Sequence, residues 1–414
     1  LKFGPFLGLD NLREVNELAV FENGKPAGQY LRHAFNVDLD RTGRVRRRSG
    51  FAQAKALPGA HSLWSNQSRT LFCRNSKLYE VTAFSPVTES LLTSLAADDA
   101  MSFADHNGDI FFSNGTDAGK LRKNEVYPEP WSLAVPSAPA VSLVAGSLLP
   151  GGYLLSVTFS TADGEEGGAS PVQRIMLTTD SDIHVTAPSA APGAAFFNVY
   201  LSARDGEALT WHSTVAAGAG TVVIDALSTG HTLRQQHMAV QPAGQIVAIH
   251  YARLLVASGA ILTYSQPRTP GKYLPSKGFI QFPERITNVV PCSGGVYVTT
   301  EAISYWLSGP DIATAAMRVL LPYGAAEGSR FSLPDGQLVG WYGDSGVVIA
   351  DENGGVKAVQ EAHLATDTAD QAAVLVCEQK GISSLVVVLQ GTVTPSPLAQ
   401  PGVAVEAAAV LHGL

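Results

Sequence analysis

Apolar and polar positions alternate in short runs along much of the chain, and a polar turn cuts off each run. The stretch "AFNVDLD" sets Phe35, Val37 and Leu39 against Asn36, Asp38 and Asp40. A period of two is the signature of a strand with one sheltered face. "RTG" then supplies a turn and "RVRRRSGF" returns, so the segment predicts a β-hairpin. On the returning strand Arg44, Arg46 and Arg48 point to one side, Val45 and Arg47 to the other.

The same unit of apolar strand, polar turn and apolar strand occurs in six copies. They are Arg69–Thr82, Met101–Gly115, Gly244–Pro267, Ile286–Gly309, Gly336–Val359 and Gln371–Gln390. Apart from one long gap, they start roughly 40 residues apart, the repeat length of a β-propeller blade with four short strands. One blade cannot bury both faces of its sheet, and blades packed side by side cover one another. The gap begins with a Pro/Ser/Ala-rich stretch and then holds short alternating strands, including "AAFFNVYLSARDGEALTWHSTV" and "TVVIDAL". Spread over about 100 residues, these predict a β-sandwich.

The fold class expected is therefore all-β: a propeller of about six blades interrupted by an inserted Ig/fibronectin III-like sandwich. An irregular N-terminal extension is expected over residues 1–30, with a short helical turn near Asn11–Leu18. The first propeller segment then covers 31–134, the sandwich 135–235 and the second propeller segment 236–414. Within the first segment the N-terminal hairpin either closes the ring by pairing with the last blade or belongs to the first blade.

Composition agrees with a turn-rich β protein: of 414 residues, 15% are charged, 40 are Gly and 24 are Pro. The formal net charge of −8 argues against a surface built to hold phosphates. Cys73, Cys292 and Cys377 lie far apart in apolar runs, without zinc or disulfide spacing. No signal peptide is legible at the start. No apolar run reaches the ~18–20 residues of a membrane span.

Motifs for chemistry are weak. Gly343-Asp344-Ser345-Gly346 resembles the start of a serine-nucleophile loop, but Val347 stands where a second glycine belongs and no partner histidine motif accompanies it. Ten histidines are scattered without HExxH or HxH spacing. Asp38, Asp40 and Thr42 begin like a calcium loop, yet Ser49 occupies the position of the bidentate glutamate and the flanks read as strands. "DHNGD" and "DENGG" are turn chemistry. No catalytic residue, metal site or cofactor is expected. The arginines Arg44, Arg46, Arg47 and Arg48 remain, with three readings open: pairing in cis with Asp38 and Asp40 across the hairpin, contact with a neighbouring subunit, or contact with nucleic acid.

"RHAFNVDLDRTGRVRRRSGF" resembles an N-terminal signature of tailed-phage virion proteins, carried here by Ala34, Asn36, Val37, Asp38, Asp40, Gly43, Arg47, Arg48 and Gly50. Ile261–Tyr273 and Gly294–Gly309 are similar to the propeller portion of those proteins, and Phe196–Val215 to a late strand pair of fibronectin type III-like modules. The family suggested is the tail nozzle, or head-to-tail tube, proteins of short-tailed bacteriophages, although this chain is short for it. The resemblance implies a non-enzymatic virion protein made in the host cytoplasm. It implies a homo-oligomeric ring, a hexamer, that meets portal/adaptor and tail fibre or spike proteins while viral DNA passes through the lumen without specific binding. The rival expectation is a carbohydrate-binding or glycan-hydrolysing surface propeller. That class needs two carboxylates across a cleft, and only Ser202–Trp211 approaches a sialidase-type turn.

Overall fold

The computed structural model describes residues 5–34, 37–39, 42–47, 52–66, 68–227, 230–333, 338–379 and 382–394. The chain separates into two compact units, residues 1–57 with 282–414, and residues 58–281.

The first unit opens with three strands, β1 (Phe6–Leu9), β2 (Ala19–Glu22) and β3 (Lys25–Leu31), in the order β1-β3-β2. This corrects the irregular extension expected there. Asn23 and Gly24 turn β2 into β3 with φ of 51° and 73°, which is the Asn-Gly hairpin signal. The helical turn shrinks to a 3₁₀ turn at Val15–Glu17. Next comes the arginine hairpin, β4 (Val37–Leu39) and β5 (Val45–Arg47).

The second unit begins with a four-stranded meander of β6 (Ala60–Ser65), β7 (Thr70–Arg74), β8 (Lys77–Phe84) and β9 (Val87–Ser94). A three-stranded meander follows, β10 (Ser102–His106), β11 (Asp109–Ser113) and β12 (Ala118–Leu121). The two sheets share a core of Leu71, Cys73, Leu78, Leu92, Phe103, Ile110 and Phe112.

Seven strands then form two other sheets: β13 (Ala140–Leu148), β14 (Gly151–Ser160), β15 (Gln173–Leu177), β16 (Ser181–Thr186), β17 (Phe196–Ser202), β18 (Leu209–Ala216) and β19 (Thr221–Ile224). Their orders are β13-β16-β19 and β15-β14-β17-β18. Tyr153, Leu155, Val157 and Phe159 of β14 meet Ile183, Val185 and Ile224 in one core. Along β14 the burial is nearly continuous, as for a strand in the middle of its sheet. A two-sheet sandwich thus spans Ala140–Ile224, and Phe196–Val215 falls in the antiparallel pair β17–β18. Kinship with fibronectin type III rests on the resemblance of that pair alone.

The chain resumes with β20 (Ala239–Val240), β21 (Ile246–His250), β22 (Arg253–Ser258), β23 (Ile261–Tyr264), β24 (Lys272–Tyr273) and β25 (Phe279–Gln281). β20 pairs with β24, and β21-β22-β23-β25 form a meander. Its Val247, Leu254 and Val256 pack on Ala104, Phe111 and Trp131.

Back in the first unit lie β26 (Ile286–Cys292), β27 (Gly295–Thr300), β28 (Ser304–Ser308) and β29 (Ala316–Leu321), then β30 (Phe331–Ser332), β31 (Val339–Gly343), β32 (Gly346–Ala350) and β33 (Val356–Ala358). Each set is a four-stranded sheet in sequence order. Tyr297, Trp306 and Trp341 join the two, with ring centroids 4.3 Å apart for Tyr297–Trp306 and 5.4 Å for Tyr297–Trp341. The last copy differs from a four-stranded blade: β34 (Thr368–Gln379) and β35 (Ile382–Thr394) make one long hairpin. Val374 and Val387 of that hairpin approach the core of Phe331, Tyr342 and Val347. The fold is all-β, with propeller-type blades as its repeating element and a sandwich between the second and third.

Candidate functional site

The arginine hairpin has the register Val37↔Arg47, Asp38↔Arg46 and Leu39↔Val45. Arg46 therefore lies directly opposite Asp38, the arrangement in which opposite charges support an antiparallel pair. Arg44, Arg46 and Arg47 are exposed. Asp40 and Arg48 lie outside the described residues. The turn is tied back to β1, because the Phe6 amide donates to the Gly43 carbonyl at 2.9 Å. Among the described residues β4 and β5 pair with no third strand.

A second polar centre in the same unit carries no motif that sequence reasoning could find. Asp10 is 1% exposed and its carboxylate collects four donors. Oδ1 accepts from the Leu12 and Arg13 amides at 3.2 and 3.1 Å. Oδ2 lies 2.8 Å from Arg13 Nε and 2.9 Å from His363 Nδ1. Burial opposes the charge, but the hydrogen bond from His363 and the Arg13 contacts outweigh it, so the Asp10 carboxyl sits below its ordinary range. Asn11 clamps Ala365 on both sides, donating to its carbonyl at 3.0 Å and accepting from its amide at 2.8 Å. Tyr30 stacks on His363 with centroids 5.6 Å apart. Together these clasp the N-terminal sheet to the segment before β34. The one local signal is the Asp-Asn-Leu-Arg run, whose aspartate makes an Asx-type turn.

In the second unit a half-buried network joins the sandwich to its blades. Glu166 Oε1 accepts from Thr158 Oγ1 at 2.5 Å and from the Tyr200 hydroxyl at 2.7 Å. The Lys272 ammonium donates to the Glu166 carbonyl. Lys120 Nζ reaches Glu165 at 3.1 Å and Glu129 at 3.4 Å, while Arg122 bridges Glu129 and Asp163. Gly168 allows the close approach of the two regions, since a Cβ there would stand 2.2 Å from the Met238 carbonyl. Burial, and then Glu166, push the Tyr200 hydroxyl up. Burial pulls the Lys272 ammonium down despite the nearby glutamates. These groups are engaged on one another, an arrangement that fixes a joint.

The other sequence motifs fall in turns. Gly343-Asp344-Ser345-Gly346 connects β31 to β32. Asp351 of "DENGG" accepts from the Asn353 and Gly355 amides, both at 2.8 Å. Cys73 and Cys292 are buried free thiols and Cys377 is free and half-buried; burial pushes Cys73 up to about 12. Among the described residues no group of three His, Cys, Asp or Glu could hold a metal ion, and no helix is long and apolar enough to cross a membrane.

No protein-family profile matches the chain, and no curated protein does. Among solved structures it is similar to BBS1N in its complex with ARL6DN, at 12% identity and a TM-score of 0.31 over 81% of this chain and 90% of that one. It is also similar to the C-terminal WD40 domain of Sif2, at 11% identity and 0.25 over 80% and 93%. Apo AztD from Citrobacter koseri gives 13% and 0.24 over 71% and 83%. At that level of overlap nothing about this chain's function follows from them.

Proposed function

We propose that this chain is a structural subunit of a bacteriophage tail, of the nozzle or tail-tube type, whose task is assembly. The observation that carries this reading is the phage-like signature around residues 34–50, whose described part pairs Val37–Leu39 with an exposed Val45–Arg47, Asp38 set against Arg46. Exposed arginines on its second strand suit a neighbouring subunit, since Arg suits interfaces through its rigid fork of donors. The subunits form a homo-oligomeric ring, with six copies on the strength of the resemblance alone, located in the virion. The firmly jointed sandwich is the docking surface for the portal/adaptor side or for fibre and spike proteins. A net charge of −8 favours passage of DNA over its retention.

Imaging of particles that contain the chain tests the proposal; a ring on the tail axis is expected, and absence of the chain from purified virions overturns it. At the hairpin, Arg46→Glu alone is expected to lower particle yield. Adding Asp38→Lys restores the cross-strand pair. Recovery of yield by the double variant assigns Arg46 to pairing in cis, whereas continued loss assigns it to a neighbour.

A further inference from the structure

The sandwich has an open edge at β13. In the sheet order β13-β16-β19 one side of β13 pairs with β16, from Ala140↔Thr186 to Ala145↔Ser181, and no described strand pairs with the other. The sheet opposite explains what is missing. Its order β15-β14-β17-β18 matches C′-C-F-G of an immunoglobulin-type sandwich, which makes β13 the B strand and β16 the E strand. In that architecture strand A covers the outer edge of B. Here the preceding segment cannot do so. It contains Pro128, Pro130, Pro136 and Pro139, which lack the N–H that a ladder needs, and its Trp131 is buried against blade residues Val247, Leu254 and Val256.

The edge also lacks the usual protection. Exposed edge strands are normally blunted by charge, proline or extreme shortness. The edge strands β9, β15 and β29 carry Glu89, Arg174 and Arg318, and the edge β18 of the same sandwich, which has no Asp, Glu, Lys or Arg, is bridged at Thr210↔Thr232. β13 has nine residues, "AVSLVAGSL", and no charge. A bulge between Ala145 and Leu148 interrupts its far end alone. Leu143 lies opposite the buried Ile183 and so faces the sandwich interior, yet it is 48% exposed. Val144, on the outer face opposite Asp182, is 47% exposed.

We propose that β13 is a pairing edge and that its occupant is β13 of a second copy of this chain. Self-complementarity argues for the copy: an uncharged strand with apolar residues on alternate positions is what the edge requires, and β13 is such a strand. Side chains must keep to their own faces, so opposed residues share parity. The antiparallel register centred on the half-covered leucine sets Leu143 against Leu143, Val141 against Ala145 and Ser142 against Val144. The two three-stranded sheets become one of six strands, and each Leu143 covers the other. The contact is isologous. A single strand pair buries less than the roughly 1,200 Å² of a standard interface, so the dimer is weak and forms at high concentration. This inference rests on the sheet edge and not on the phage reading.

Sedimentation of the full chain over a concentration series tests it. The wild type is expected to pass reversibly from monomer to dimer. Ser142→Lys with Val144→Lys puts lysine opposite lysine across the two-fold contact while leaving each sandwich intact. It should weaken dimerisation at least about tenfold, with an unchanged melting temperature as the check on folding. Leu143→Cys should give a disulfide-linked dimer on mild oxidation at high concentration. A wild type that stays monomeric throughout overturns the proposal. So does dimerisation insensitive to the lysine pair, failure of the Leu143→Cys variant to cross-link, or association that occurs only with a different protein.

Discussion

Asp10 shows how one side chain can organise a terminus. Its buried carboxylate stays charged because the partly exposed His363 and Arg13 reach in to donate to it. Its folded pKa lies below the ordinary 3.8, so its contribution to stability is present above that value and is lost as pH falls through the folded pKa. Asp10→Asn should flatten the acid limb of the stability–pH curve relative to wild type, and thermal melts between neutral and strongly acidic pH measure it. At neutral pH the variant should lose about 1–3 kcal/mol, because donors are left without a charged acceptor. This centre was illegible in the sequence: Asp10 and His363 stand 353 positions apart, and nothing local marks one as the other's partner. The Asp38–Arg46 opposition was legible, since alternation and a short turn fix a hairpin's register.

Among elements, the blades were readable because each inner strand states its period and ends at a turn. The N-terminal strands were missed although Asn23-Gly24 announced them, because β1 and β2 are four residues each and too short to show a period. The final hairpin was readable as a pair, but its strands of 12 and 13 residues outgrow a blade strand where no turn residue interrupts them. Packing between sheets sets the larger energies. Trp341 of β31 is wholly buried against Tyr297, so Trp341→Ala should cost about 3–5 kcal/mol, read as a lowered denaturant midpoint. The joint of sandwich and blades is an element-level feature that no pattern announces, because Glu166, Lys120 and Lys272 come from separate loops and strands. Lys272→Met keeps the stem and removes the ammonium. Hydrogen exchange should then rise at Glu165–Gly168 while Ile246–His250 keeps its protection; a uniform rise across both would show a general loss of stability instead.

For the molecule as a whole, charge is the most informative bulk property. At −8 overall, the protein should not retain duplex DNA in a gel-shift assay at physiological salt, in contrast to a binder that neutralises several phosphates and weakens steeply as salt rises. Retention that falls steeply with salt would assign the exposed arginines of β4–β5 a nucleic-acid role. Fold class was legible at this scale because it follows from composition, strand period and repeat length together. A Pro/Ser/Ala-rich stretch does precede β13, the first strand of the sandwich.

The joint at Glu166 has a mechanical meaning. The sandwich is joined to its blades by the chain before β13 and the chain after β19, and a third strut runs from Lys272 to Glu166, with Lys120 to Glu165 beside it. Two tethers alone would act as a hinge about the line between them. A third attachment through side chains adds a constraint that the two chain tethers lack, so force applied to the sandwich passes into the blades by a route outside the backbone.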